Sequence, residues 1–141
     1  MSSLHSWIDA SRPKTLVAGI VPVMVGSCMA FSHLKTSNWL LITLCLLFSV
    51  LIQIGTNFAN DYYDFIKGAD QRRENAPQRA STSGKVEPIR MRNASFITLT
   101  LAFLVGLSLL YFSKASPILV FVGVGSVVCA LGYTGGPYPL A

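Results

Sequence analysis

Asn57-Phe58-Ala59-Asn60-Asp61-Tyr62-Tyr63-Asp64 is the stretch of this chain whose residue types best suit chemistry. On an α-helix at about 100° per residue, Gln53, Asn57, Asn60, Asp61 and Asp64 share an arc of roughly 100°. Two carboxylates and two amides then point one way, with Gln53 a turn deeper. Asp61 and Asp64, one turn apart, suit a shared Mg²⁺, which takes one or two carboxylates and completes its octahedron with water and phosphate. Asn57 and Asn60 add carbonyl ligands or donors to phosphate oxygens. Lys67, Arg79 and Lys85 follow closely enough in sequence to meet the same anion. The set suits a lipid-borne diphosphate. The plainer alternative is a helix end in water beside a basic loop that only sets topology.

The elements that carry this face are apolar. Of 141 residues, 52% are hydrophobic and only 12% charged, against about 25% charged in soluble domains; mean hydropathy is +0.53. These values predict an all-α membrane protein with four transmembrane helices in one domain, over about 16–33, 39–60, 95–112 and 117–133, long enough for a lipid bilayer core. Polar groups at the end of the second span are costly near hydrocarbon and need water, a cation or a ligand. Basic residues are not interleaved with aromatics on a stackable surface, so no nucleic-acid partner is expected. Cys28, Cys45 and Cys129 lie inside apolar runs, at spacings that suit no metal.

Charge fixes the expected orientation. Seven of the eleven basic residues (Lys67, Arg72, Arg73, Arg79, Lys85, Arg90 and Arg92) lie in or beside the loop expected at about 65–94. Arg12 and Lys14 flank the first span, while the other loops carry only Lys35 and Lys114. Basic loops stay cytoplasmic. The N-terminus, the 65–94 loop and the polar face are therefore expected on the cytoplasmic side of a bacterial inner membrane.

Asn57-x-x-Asn60-Asp61-x-x-Asp64 with Lys67-Gly68-x-Asp70 resembles the first aspartate-rich motif of the UbiA-type intramembrane prenyltransferases. Arg12-Pro13-Lys14-Thr15-Leu16 is similar to the branch acting on 1,4-dihydroxy-2-naphthoate in menaquinone synthesis. Arg79 with Ser83-Gly84-Lys85-Val86, and Tyr133-Thr134 before Pro137-Tyr138-Pro139, agree with the same pattern. The resemblance implies a polyprenyl diphosphate held through Mg²⁺ by Asp61 and Asp64, with Asn57 and Asn60 assisting. It implies that Arg79, Lys85 and Lys67 neutralise the diphosphate, and that the naphthoate ring captures the allylic cation with loss of CO₂. Tyr62, Tyr63 or Tyr133 would face that cation, and Arg12 and Lys14 would meet the aromatic acid.

The same resemblance implies about nine helices and a second aspartate motif. Here Glu87 is the only acidic residue after Glu74. The expectation is the first half of such a bundle, inactive alone and lacking a C-terminal half. The alternatives are transfer to another acceptor such as 4-hydroxybenzoate, a non-catalytic membrane fragment, and a small cation transporter.

Overall fold

A computed structural model describes residues 4–35, 37–68, 80–114 and 116–135, with the backbone alone of residues 130, 131 and 133–135. Five helices follow in order: α1 (Leu4–Ser11), α2 (Pro13–Leu34), α3 (Trp39–Lys67), α4 (Pro88–Ser113) and α5 (Ile118–Gly135). Among the described residues there is no strand. Three of the helices, α2, α3 and α4, are long and apolar enough to cross a membrane, and α5 adds a shorter apolar stretch over Ile118–Cys129. The chain is an integral membrane protein of all-α fold.

The helix ends differ from the sequence expectation in ways that have local causes. The short α1 lies in the N-terminal stretch where no helix was expected. Arg12 ends it in the left-handed region at φ 52°, and Pro13 starts α2 at once. A proline suits a first helical position, and it pushes the residue before it out of the α region. Helix α3 does not stop near residue 60 but runs to Lys67, because Asn57, Asp61 and Asp64 are buried rather than fraying into solvent. Gly68, at φ 62°, stops it and donates its N–H to the carbonyls of Asp64 and Phe65. Pro88 opens α4 seven residues early, so Arg90, Arg92 and Asn93 belong to a helix rather than a loop. Buried Met91 and Ser95 hold that first part of α4 down.

Helix α3 is the hub: it packs against α1, α2, α4 and α5. Close approach rests on small residues and interhelical hydrogen bonds, since lipid tails provide no hydrophobic drive between spans. Ser49 donates its hydroxyl to the Gly19 carbonyl at 2.8 Å, joining α3 to α2. Ser95 does the same to the Gly55 carbonyl at 2.8 Å, joining α4 to α3. A Cβ at Gly55 would sit 2.7 Å from Leu99 Cδ2, so only glycine fits without movement.

Burial is unevenly distributed. Large apolar side chains on the outer faces, such as Val17, Val21, Phe96, Ile97 and Phe121, stay exposed, as lipid contact requires. The buried cluster of Ala10, Phe58, Ala80, Val86 and Met91 gathers beside the polar part of α3, with Trp7, Ile54, Tyr62 and Ala94 packed on it. At 29 residues, α3 is roughly 44 Å long, more than the ~30 Å hydrocarbon core. Its polar end therefore reaches past the core.

Candidate functional site

Three parts of the chain meet at the polar end of α3: the α1–α2 corner, the α3 face itself, and the 80–86 turn that leads into α4. Asn57 holds the first. Its Nδ2 donates to the Ser11 carbonyl at 2.8 Å and to Thr15 Oγ1 at 3.0 Å. Thr15 Oγ1 in turn donates to the Arg12 carbonyl at 2.9 Å. Trp7 of α1 stands edge-on to Phe58, with ring centroids 5.6 Å apart at 77°. The half-buried Arg12 and the exposed Lys14 are thereby carried to the corner that Asn57 pins.

Asp61 holds the second. Asp61 is 2% exposed; its Oδ2 accepts the Ala80 N–H at 3.1 Å and Oδ1 the Ser81 N–H at 3.0 Å. The turn then closes on itself. Val86 N–H donates to the Ala80 carbonyl at 3.1 Å and Gly84 N–H to the Ser81 carbonyl at 3.2 Å. Gly84, at φ 69°, makes the bend a side chain would strain. Buried Val86 anchors the far side, so Lys85 stands exposed on a turn fixed at both ends.

Asp64 is buried one helical turn beyond Asp61, and half-buried Asn60 lies one turn before Asp64 on the same face. Lys67 is exposed a further turn on, at the helix end. Tyr62 and Tyr63 pack edge-on at 5.2 Å and 61°. Arg79 lies outside the described residues, as does the side chain of Tyr133, whose backbone is in the last turn of α5.

The structure thus brings Arg12, Lys14, Asn57, Asn60, Asp61, Asp64, Lys67 and Lys85 to one end of the bundle. It gives Asn57 and Asp61, both expected as metal ligands, firm partners inside the protein. Ser81 carries no signal in the sequence reading. Its hydroxyl is buried, with no hydrogen-bond partner among the described residues. Only its place two residues after Arg79 and two before Ser83-Gly84-Lys85 could have drawn notice.

A family model described as the UbiA prenyltransferase family matches residues 19–141. The chain belongs to the UbiA prenyltransferase family. It is 37% identical over 139 residues to a 1,4-dihydroxy-2-naphthoate octaprenyltransferase of Mycobacterium tuberculosis, covering 99% of this chain and 46% of that one. The Mycobacterium leprae protein of the same name is 35% identical over 139 residues, with the same coverage. That of Haemophilus influenzae is 34% identical over 146 residues, covering 96% of this chain and 46% of its own. The chain spans about half the length of these UbiA relatives. No solved structure matches it.

Proposed function

We propose that this chain supplies the N-terminal part of a membrane prenyltransferase. The enzyme moves a polyprenyl group from its diphosphate to 1,4-dihydroxy-2-naphthoate, with loss of the ring carboxylate as CO₂, in menaquinone synthesis. The observation that carries this reading is the convergence of the Asn57–Asp64 face, the 80–86 turn and the α1–α2 corner at one end of the bundle. The likeness to relatives named for this reaction supports the acceptor.

The donors present fit Mg²⁺. Among the described residues no three His, Cys, Asp or Glu side chains cluster to cage an ion; one or two carboxylates suit an ion otherwise completed by water and phosphate. Asp64, with the Asn60 carbonyl beside it, would hold the ion, and bound Mg²⁺ would stabilise the charge that develops on the leaving diphosphate. Lys85, Lys67 and Arg79 bind the same anion as charge builds on it, which favours cleavage of the allylic C–O bond. Tyr62 or Tyr63 would offer a ring face to the allylic cation, and Tyr133 is assigned the same task from its place in the sequence alone. Arg12 and Lys14 orient the aromatic carboxylate. The polar end lies on the cytoplasmic side, following the basic residues around it. A C-terminal half completes the site, and the 141-residue chain is inactive without it.

The test is co-expression of this chain with the C-terminal half of a full-length relative, followed by prenyl transfer in isolated membranes. Transfer to 1,4-dihydroxy-2-naphthoate by the pair, with none from either half alone, is the expected result. Transfer to 4-hydroxybenzoate instead overturns the acceptor; equal transfer by this chain alone overturns the half-site.

A further inference from the structure

Asp61 sits in the middle of the motif and would ordinarily be counted with Asp64 as a metal ligand. Its surroundings give it a structural task of its own. Both carboxylate oxygens are matched one-to-one by backbone N–H groups from residues 19 and 20 positions away. The acceptor is 2% exposed and Ser81 is 2% exposed. Loss of this carboxylate would leave two buried N–H groups without acceptors, which folded proteins almost never tolerate. The turn so held is internally closed by the Ala80–Val86 and Ser81–Gly84 bonds, so it moves as a unit. Seating Ala80 and Ser81 therefore also places Lys85.

We propose that Asp61 is a positioning residue, a latch that seats the 80–86 turn on α3 whether or not a metal is bound. The latch does not rest on the metal–diphosphate reading above. Asp61 thereby fixes where Lys85 stands beside the polar face of α3.

Site-resolved amide exchange on the 141-residue chain in lipid nanodiscs separates the two roles. The amides of Ala80 and Ser81 are measured in EDTA, then with Mg²⁺ and inorganic pyrophosphate. In the unaltered chain both are slow in EDTA, their proton resonances are shifted downfield by the carboxylate, and Mg²⁺ with pyrophosphate changes neither by more than about twofold. Asp61→Asn replaces one acceptor oxygen by a donor NH₂. At least one of the two amides then exchanges about tenfold faster, or more, in EDTA, and its downfield shift is lost. Asp64→Asn leaves both amides as they are. Fast exchange in the unaltered chain, protection that appears only with Mg²⁺, or protection lost when Mg²⁺ is added would each overturn the latch. Should Asp61→Asn also deprotect Leu99 in α4, and so unfold the chain, the unaltered chain and Asp64→Asn still decide. Failure of the metal reading shows separately, as Mg²⁺ with pyrophosphate perturbing no resonance of the α3 face while the latch amides stay slow.

Discussion

The amide of Asn57 lies 3.0 Å from the hydroxyl of Thr15, 42 residues earlier in the chain, and 2.8 Å from the Ser11 carbonyl. A side chain expected to face a ligand is thus the tie between α3 and the α1–α2 corner. Asn57→Ala removes both bonds and leaves the Thr15–Arg12 link unsupported. Equilibrium unfolding in detergent should show a loss of about 1–3 kcal/mol. Thr15→Val, which removes one of the two acceptors, should cost about half as much. Equal stability of all three chains would mean that the corner is held by other contacts.

Gly55 and Ser95 form a close point of the α3–α4 interface. Gly55→Val would drive a branched side chain into Leu99, whose Cδ2 and Cγ lie 2.7 and 2.8 Å from the position of a Cβ. Overpacking of this kind costs about 1–3 kcal/mol. Ser95→Ala should cost less, about 0.6 kcal/mol, the usual worth of an interhelical hydrogen bond in a membrane protein. Thermal unfolding in nanodiscs ranks the two, and the reverse order would contradict this packing account.

Lys85 is exposed on the seated turn, so its replacement should leave the fold intact. In the two-half assembly, Lys85→Ala should raise the KM for polyprenyl diphosphate about tenfold, the worth of one charge-assisted contact. The KM for the naphthoate should stay unchanged. A control is Glu87→Ala, which breaks the exposed Arg90–Glu87 pair at 2.7 Å. It should alter stability by less than about 1 kcal/mol and leave both KM values alone. A Lys85 variant that shifts the naphthoate KM instead would move this residue to the acceptor.

The helical membrane fold and the polar face were readable from residue types alone, because composition and a 3.6-residue period carry them directly. Much of what the face is attached to was not. Asp61 bonds to the N–H groups of Ala80 and Ser81, and Asn57 bonds to the Ser11 carbonyl. Ser49 and Ser95 likewise bond to the carbonyls of Gly19 and Gly55. Every residue has such backbone groups, so no pattern of side chains marks the ones a distant aspartate will choose. The ends of α3 and α4 were misjudged for a related reason. Polar residues such as Arg90 and Arg92 read as loop until the burial of Met91 and Ser95 supplies a reason for helix.

The account stands or falls on Asp64 as the metal-bearing carboxylate of a prenyl-transfer site. The direct measurement is the rate of prenyl transfer against Mg²⁺ concentration in membranes holding this chain with a complementary half, for Asp64 and for Asp64→Asn. The expected result is a loss of about a hundredfold or more in rate, with more Mg²⁺ needed for half-maximal activity. An Asp64→Asn assembly that matches the unaltered one in rate and Mg²⁺ dependence would contradict it.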